Sequence, residues 1–397
     1  MAGSVPARDG SAPIAPVAVA AVVMMAVLGG ATVSLQPALL GGLAGAGRLT
    51  IGQMGYAATL EALAMALASA VAGARLAPER LRLIARLAAA TALAANFVSI
   101  FASGHGVLLI RLLAGFSAGT IMFIYVGMMA RVPQPARVAA FYGVGQGCLA
   151  LLLSSLILAV LVPWAGGGAG YGAMCGINLA MLGLSFLVPT HYDRITGRSG
   201  GRLLPTRLGL AALAVVVLHF AAIMALWIYS VPLAVRAGLT TVEAGFVLSL
   251  AFGFKVAGGL CSAALAPRMK LMPTLIGGFV ATFAAIVMIA LGLPLFYIAG
   301  LTLFTFLWMV TTPFHMGLAL AADPRKGAAM QMVTAQLAGV SLGPVVASLA
   351  VGRAGPEGAM AASVALLAAA IALALLVGLL AARRTGAAPA ATAAITQ

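Results

Sequence analysis

The sequence predicts an all-α membrane protein whose twelve transmembrane helices form two six-helix pseudo-repeats. Two observations on composition carry the membrane assignment: 63% of the 397 residues are hydrophobic and only 7% are charged. The mean hydropathy of the chain is +1.15. A soluble protein carries charged residues at roughly a quarter of its positions. Because that charged surface is missing, most of the outside of the folded chain must face lipid.

Twelve apolar stretches are long enough to cross a bilayer, which takes about 20 mainly apolar residues for each helix. They occupy residues 16–41, 51–73, 84–103, 107–130, 138–162, 170–189, 208–234, 243–266, 273–292, 294–319, 328–350 and 359–382. The first stretch exceeds the apolar core of a signal peptide and is followed by further spans, so we interpret it as a span and not as a cleaved leader.

Basic residues indicate how the spans are oriented. With the N-terminus inside, 17 of the 22 lysines and arginines lie in inner loops or at inner span ends, whereas only Arg48, Arg236 and Arg353 lie in outer loops. Cytoplasmic loops of membrane proteins carry this excess. We therefore expect a multi-pass protein of the inner cell membrane with both termini cytoplasmic. The net charge of +15 does not indicate nucleic-acid binding, because the basic residues form no continuous patch.

The chain divides into five expected segments. Residues 1–15 and 385–397 are Ala/Pro/Thr-rich cytoplasmic tails that we expect to be disordered. Residues 16–190 form an N-terminal six-helix bundle and residues 208–384 a C-terminal one. Between them, residues 191–207 form a basic cytoplasmic linker whose glycines and serine predict flexibility.

Weak self-similarity relates the two bundles. Leu76-Ala77-Pro78 recurs as Leu265-Ala266-Pro267 at an offset of 189 residues. The other matches, at offsets of 189 and 190, join Pro135, Arg137, Ala139 and Ala140 to Pro324, Lys326, Ala328 and Ala329, and Thr50, Gly55 and Tyr56 to Thr240, Gly245 and Phe246. Matches at nearly one offset, each at an equivalent place in the topology, indicate a duplication.

Twelve spans in a duplicated arrangement, a basic central loop and inward termini resemble the major facilitator superfamily of secondary transporters. The segment R-L-L-A-G-F-S-A-G at 111–119 is similar to that family's R-x-x-x-G-x-x-x-G pattern. The segment G-V-S-L-G-P at 339–344 resembles a glycine-proline segment common in its eleventh span. The resemblance covers nearly the whole chain and implies alternating access between two six-helix halves.

The family's signature between spans two and three, G-x-L-A-D-R-x-G-R-[KR], is kept only in part. Residues 73–82 retain the opening Gly73 and the arginines, but the aspartate is missing from its usual place. Glu79 is the candidate replacement. The charge network of the inner gate therefore departs from the family pattern.

Glu61, Lys255 and Arg111 lie within spans, where a charge is costly and normally faces a cavity or a partner. Glu61, near the middle of span two, is a candidate proton carrier, and the alternative is a paired carboxyl group that packs helices. Lys255, at similar depth in span eight, is a candidate to bind a substrate carboxylate or to pair with Glu61. The resemblance implies that Arg111 belongs to the network around proton coupling. The alternative for both cations is a side chain that snorkels to the surface.

Six further residues are candidates to line a substrate site or to take part in coupling: Gln36, Tyr125, His219, Trp227, Trp308 and His315. A histidine titrates near neutral pH, so His219 is a candidate proton shuttle. The alternative is a hydrogen-bonded packing histidine. Trp227 lies on the same helical stripe as His219 and is a candidate to stack on a substrate ring.

We find no enzyme constellation, no Walker loop and no His/Cys cluster with metal-ligand spacing, so we expect neither an enzyme nor a cofactor or metal. The leading hypothesis is a monomeric secondary active transporter of a small organic solute, with a preference for an organic or aromatic acid anion and with protons as coupling ion. One alternative is an exporter of drug-like or amphiphilic compounds in the same fold. Another is a regulatory membrane protein that does not transport.

Overall fold

The computed structural model describes residues 14–75, 79–129, 131–132, 134–192, 204–265 and 268–384. Within these ranges, 12 helices are long and apolar enough to cross a membrane. We number them in chain order as spans one to twelve: Pro16–Gly45, Ile51–Ala72, Leu81–Ser99, His105–Met129, Arg137–Ala165, Ala169–Leu187, Arg207–Trp227, Thr241–Leu265, Leu271–Ala290, Pro294–Ala322, Met332–Ala354 and Glu357–Arg383. The chain is therefore an all-α, multi-pass membrane protein, as the sequence predicts.

The loops between the spans lie at the two ends of the bundle. Span six ends at Leu187 and span seven begins at Arg207, so the joining segment lies at one end, which we call the linker face. The other end is the far face. Most of that joining segment, residues 193–203, lies outside the described residues, as do residues 1–13 of the expected tail at 1–15 and the whole expected tail at 385–397. The domain limits placed there stay a prediction.

The same neighbours touch in each half of the bundle. Span two packs against span four as span eight packs against span ten. Span three contacts spans four and six, and span nine contacts spans ten and twelve. Span one contacts spans five and six, and span seven contacts spans eleven and twelve. Because each contact recurs six spans later, the two halves are arranged as repeats.

The threonines of one sequence repeat cap equivalent spans. At the start of span two, the backbone of Gln53 donates to Thr50 Oγ1 at 3.2 Å, and the Gln53 side chain accepts from the Thr50 backbone at 3.0 Å. At the start of span eight, Glu243 and Thr240 exchange the same two bonds at 3.2 and 2.7 Å. These capping boxes fix where both spans begin at the far face.

The glycines of that repeat bring the halves together. A Cβ on Gly55 would collide with the carbonyl of Pro344 in span eleven, and one on Gly245 would lie 2.8 Å from Leu158 Cβ in span five. Both positions are within two turns of the far face. Only residues without a side chain let the backbones of the two halves approach this closely. The repeat therefore encodes the contact between spans two and eleven and the contact between spans five and eight.

Hydrogen bonds between the halves, among the described residues, lie in the part of the bundle nearer the far face. Ser348 Oγ donates to Gly52 O at 2.9 Å, and Thr59 Oγ1 donates to Ser341 O at 3.0 Å. On the other side of the bundle, Ser154 and Ser249 share a bond of 2.7 Å. Span five continues there as a π-helical segment, Leu156–Leu161. The halves are thus joined at the far face.

Spans one and seven are interrupted. Span one consists of helices Pro16–Gly29, Ala31–Ser34 and Gln36–Gly45. Span seven was predicted as continuous over 208–234 but ends at Trp227 and is followed by a separate helix, Ser230–Arg236.

Two causes of these interruptions are visible. Pro37 and Pro232 lack the N–H that would continue each helix across its break near Leu35 and Tyr229. In span one, the Gln146 amide donates to Val27 O at 2.8 Å and so occupies a carbonyl of the helix itself. Proline and an inserted polar group are recognised causes of helix breaks.

A buried carboxylate organises the linker face of the second half. Asp323, which follows span ten, is fully buried. It accepts from the backbone of Ala328 at 2.9 Å, ahead of span eleven, and from that of Thr206 at 3.4 Å, at the cap of span seven. The turn also holds Lys326 at a φ of 62°, the left-handed region that non-glycine residues seldom adopt.

Candidate functional site

A cavity of about 490 Å³ lies between the two halves and extends from mid-depth toward the linker face. Its walls come from spans one and five of the first half and from spans eight and ten of the second. The lining residues are Ser34, Tyr142, Gly143, Val144, Gln146, Gly147, Phe252, Lys255, Val256, Gly259, Leu260 and Met309. A cavity of this size suits a small organic ligand.

Lys255 is the one charged residue among those that line the cavity in the described part of the chain. Its Nζ lies 3.8 Å from the ring centroid of Trp308 and 5.9 Å from that of Phe252. A cation over an aromatic face is stabilised electrostatically. Among the described residues, no carboxylate forms an ion pair with Lys255. The ammonium group therefore keeps hydrogen-bond donors available toward the cavity.

We call the rings of Phe252 and Trp308, which lie next to the Lys255 ammonium group, the aromatic floor. Trp227 packs against both of these rings. Its ring meets that of Phe252 edge-on at 5.3 Å and that of Trp308 at 6.2 Å. Trp227 is only 3% exposed and does not line the cavity. In this structure the ring of Trp227 packs against Phe252 and Trp308 outside the cavity lining, and its stacking on a substrate stays a prediction.

The opposite wall carries neutral polar groups. Ser34 donates to the Gln146 side-chain oxygen at 2.8 Å, and both residues line the cavity. Tyr142 also lines it, and its ring packs against that of Tyr125 with centroids 4.9 Å apart. Tyr125, a predicted site residue, thus supports the wall from the second layer.

A polar cluster is buried inside the first half, away from the cavity. Arg111 Nη1 lies 3.5 Å from Glu61 Oε1, and both side chains are 1% exposed. Arg111 Nη2 donates to Ser99 Oγ at 2.6 Å and to Asn96 Oδ1 at 3.0 Å. The Gln36 amide donates to Glu61 Oε2 at 2.9 Å. We call Gln36, Glu61, Asn96, Ser99 and Arg111 the buried charge cluster.

Close helix packing brings the two charges together. A Cβ on Gly115 would collide with the backbone carbonyl of Glu61, and one on Gly119 with that of Met65. These glycines follow Arg111 on span four at successive turns, so the 111–119 motif holds span four against span two at the level of Glu61. Small residues at four-residue spacing serve this purpose in membrane helices.

The pairing within this cluster is incomplete. Glu61 Oε1 and the Nε and Nη1 atoms of Arg111 are buried and have no hydrogen-bond partner. The separation of 3.5 Å is an electrostatic contact, longer than a charge-assisted hydrogen bond of about 2.7–2.9 Å. Tyr171 covers the guanidinium, with its ring centroid 4.7 Å away. The carboxyl group therefore has an oxygen that can accept a proton or a further donor.

A second buried pair lies in the other half. His219 of span seven and His315 of span ten are fully buried, with ring centroids 4.9 Å apart. Phe279 stacks on His219 at 4.4 Å. None of the four ring nitrogens lies in hydrogen-bond geometry with a partner. Apart from an interaction of His315 with the backbone of Thr312, the surroundings we can describe are apolar. The two predicted site histidines contact each other and do not line the cavity.

Several sequence expectations are corrected by this geometry. Glu61 pairs with Arg111, so the alternative prediction of an ion pair between Lys255 and Glu61 is wrong for this structure. Arg111 does not snorkel outward, because it is held inside the bundle by partners from spans two and three. Gln36 contacts Glu61 and does not line the cavity. The nine predicted site residues thus separate into a cavity group, a buried charge cluster and a histidine pair.

Sequence reasoning missed Asn96, Ser99 and Tyr171, the other neighbours of Arg111. A signal was available: Asn96 and Ser99 are polar residues three positions apart in the otherwise apolar stretch 92–99, which places them on one helix face. The residues of the inner-gate signature at 76–78 lie outside the described residues, and Glu79 beside them is exposed.

Comparisons with known proteins agree with the architecture. A solved structure of the peptide transporter POT in complex with sulfate has a TM-score of 0.71 at 13% identity and covers 94% of this chain and 97% of that one. For a D-xylose-proton symporter the TM-score is 0.70 at 13% identity, covering 91% and 96%. A bacterial homologue of the human lysosomal transporter Spinster, inward-facing and occupied, gives 0.67 at 15% identity, covering 93% and 98%.

Neither a protein-family model nor a curated protein sequence matches the chain. The structural likeness nevertheless extends over nearly the whole length of both partners in each comparison. The chain has the fold of the major facilitator superfamily, as the resemblance of its motifs implies.

Proposed function

We propose that the protein is a secondary active transporter that moves a small organic anion by alternating access, driven by protons. The observation that carries this proposal is Lys255. A cation without a carboxylate partner, at mid-depth in a cavity between two repeats, is costly to keep in a membrane unless a ligand uses it. Gln146 and Ser34 offer further polar contacts across the same cavity.

The size and walls of the cavity support an organic or aromatic acid. Lys255 supplies the charge for a carboxylate or a sulfonate, while Phe252, Met309 and Val256 supply apolar contact for the rest of the molecule. The positive charge of Lys255 disfavours the binding of cationic drugs, which are the substrates expected if the protein were instead a drug exporter. A lysine that lines the cavity and is available to a ligand also argues against a regulatory protein that has lost transport.

The buried charge cluster is the proposed coupling element. Glu61 is held by one arginine and one amide, and one of its oxygens has no hydrogen-bond partner. Protonation of Glu61 would cancel its attraction to Arg111, so the packing of spans two and four would respond to proton binding. Span two also forms the contact with span eleven, through Thr59 and Gly55. A change at Glu61 thus has a direct route to the junction between the halves.

The far-face contacts support alternating access. The halves are joined there by backbone approaches and hydrogen bonds, whereas the cavity lies nearer the linker face. Transport requires these contacts to open and linker-face contacts to form. The bias of basic residues makes the linker face the cytoplasmic one, in the inner membrane of the cell. We propose that one chain acts as a monomer and carries out no enzymatic chemistry.

Paired binding measurements test the anion site. Purified protein in nanodiscs is titrated with benzenesulfonate, which stays ionised, and with neutral benzenesulfonamide. Loss of a charged hydrogen bond costs about 1.5–3 kcal/mol, so Lys255→Met should weaken benzenesulfonate about ten- to a hundredfold. The sulfonamide should bind both proteins equally. Lys270→Met, at the linker face, is the matched control and should change neither affinity.

Two outcomes would count against the proposal. If Lys255→Met weakens the acid and the sulfonamide equally, the lysine shapes the cavity and does not recognise charge. If proteoliposomes with the wild-type protein take up no member of a panel of aromatic and short-chain acids beyond protein-free liposomes, the protein is not an organic-anion transporter.

A further inference from the structure

Spans five and eight run antiparallel and stay in contact over several turns from the far face. Gly245 faces Leu158, Ser249 bonds to Ser154, and a Cβ on Gly147 would lie 2.6 Å from Val256. The two steps toward the linker face are four and then seven residues on both helices, which is about one turn and then two turns. The same register would next place Gly143 beside Leu260.

That next contact is not made. A Cβ on Gly143 would meet no atom within 4 Å among the described residues. The two spans therefore separate directly below the contact between Gly147 and Val256. Gly143 and Leu260 both line the cavity, so the separation opens into the space that holds Lys255.

The depth of this opening places it in lipid. Gly143 lies eight residues inside the helix that begins at Pro135, and Leu260 lies five residues before the end of span eight. At 1.5 Å per residue, the opening is about 8–12 Å from the linker-face helix ends. The hydrocarbon core is about 30 Å thick. The gap thus faces the acyl chains of the leaflet on the linker face.

Both spans lie at the outside of the bundle, since each carries an exposed residue that does not line the cavity: Leu152 is 66% and Leu250 46% exposed. A gap between two such spans leads toward the side of the bundle. Val144 and Leu260, which do line the cavity, are 53% and 65% exposed, so the cavity wall is open at this level. Among the described lining residues, Lys255 is the one charge that an apolar chain in this gap would meet.

We infer that the cavity is loaded sideways from the linker-face leaflet, through the gap between spans five and eight, by an amphiphilic anion with a single apolar chain. The anionic head pairs with Lys255, and the chain extends past Val256 and Leu260 toward the lipid. This inference rests on the proposed function and narrows its substrate class. Such a molecule partitions into the bilayer, so the membrane itself concentrates it at the opening.

Two probes with the same head group test the route. Dodecanesulfonate carries a chain, benzenesulfonate does not, and both remain ionised. Association with the protein in nanodiscs is followed by tryptophan fluorescence. Gly143→Trp places an indole in the gap at a position where a Cβ meets no atom within 4 Å, and Leu260→Trp places one on the other wall. Gly176→Trp is the matched control, since Gly176 on span six is exposed and a Cβ there also meets nothing within 4 Å.

We expect both gap variants to slow association of dodecanesulfonate at least about tenfold, within the range over which association rates vary among variants. Both substitutions lie in the cavity wall, so benzenesulfonate, which can arrive through water, should be slowed as well, but by a much smaller factor than dodecanesulfonate. Gly176→Trp should change neither rate. Unchanged dodecanesulfonate binding in both gap variants, or equal slowing of both probes, would overturn the side route.

The two proposals fail in different ways. Binding of benzenesulfonate without any binding of dodecanesulfonate would refute the amphiphile inference and leave the anion transporter standing. Failure of wild type to bind either probe would count against the anion site itself.

Discussion

The two halves place their ionisable groups in opposite settings. In the first half, Glu61 and Arg111 are sealed inside one bundle and face each other. In the second half, Lys255 faces the cavity over an aromatic floor and has no carboxylate partner among the described residues. Repeats of one architecture thus differ in the setting of their charges, and the roles we propose differ with it: coupling for the internal pair and ligand binding for the cation at the cavity.

Among the substitutions that test this contrast, removal of Arg111 should lower the free energy of unfolding the most. Arg111→Ala leaves the Glu61 carboxylate buried without a cation next to it. Breaking a buried ion pair in this way lowers the free energy of unfolding by about 3–5 kcal/mol. Lys255→Ala should change the free energy of unfolding by less than about 1 kcal/mol, since no buried carboxylate loses a partner. Thermal unfolding of both purified variants measures the difference, and Arg111→Ala combined with Glu61→Gln should recover part of the loss. Equal destabilisation by both single substitutions would contradict the contrast.

Neutralisation of Glu61 should have an intermediate effect, on coupling. Glu61→Gln keeps the shape and the contact with Gln36 but cannot exchange a proton. A gradient of one pH unit is worth about 1.4 kcal/mol for each proton, which supports about tenfold accumulation. That accumulation should disappear in proteoliposomes, whereas exchange without a gradient should continue. Accumulation by Glu61→Gln at the wild-type level would remove Glu61 from the coupling mechanism.

The histidine pair should give the smallest effect. His219→Phe and His315→Phe preserve ring packing against Phe279 and remove nitrogens that have no partner in hydrogen-bond geometry, although His315→Phe also removes the interaction with the Thr312 backbone. Replacement of an unsatisfied polar group by an apolar one of similar shape is nearly neutral, so the free energy of unfolding should change by less than about 1 kcal/mol. A loss of transport with normal stability would instead show that the pair takes part in the cycle.

Much of the fold could be predicted because lipid imposes it. The spans follow from apolar length, and the halves from a weak repeat in which Thr50 and Gly55 recur as Thr240 and Gly245. What those residues do could not be read from the repeat itself: capping by the threonines is local, but the close approach of Gly55 to Pro344 depends on a partner in the other half. The breaks in spans one and seven were missed because proline is tolerated in many membrane helices.

The site was harder to predict because helical facing decides it. Glu61 and Lys255 lie at similar depth in equivalent spans, yet one points into its own bundle and the other toward the cavity. Periodicity in spans that are apolar on every side carries little information about facing. The pairing of Glu61 with Arg111 was nonetheless latent in the 111–119 motif, since Gly115 and Gly119 place that stretch of span four against span two.

Asp323 has a mechanical consequence. One carboxylate holds the backbone ahead of span eleven, the cap of span seven and the end of its own span ten. A relative displacement of any of these would stretch hydrogen bonds at a fully buried acceptor, which makes this end of the second half stiff. At the offset of 189, the equivalent position of the first half holds Gln134, which is exposed. The second half should therefore turn as one rigid body at this end, whereas the first half has no buried carboxylate at the equivalent position to hold its helix ends together.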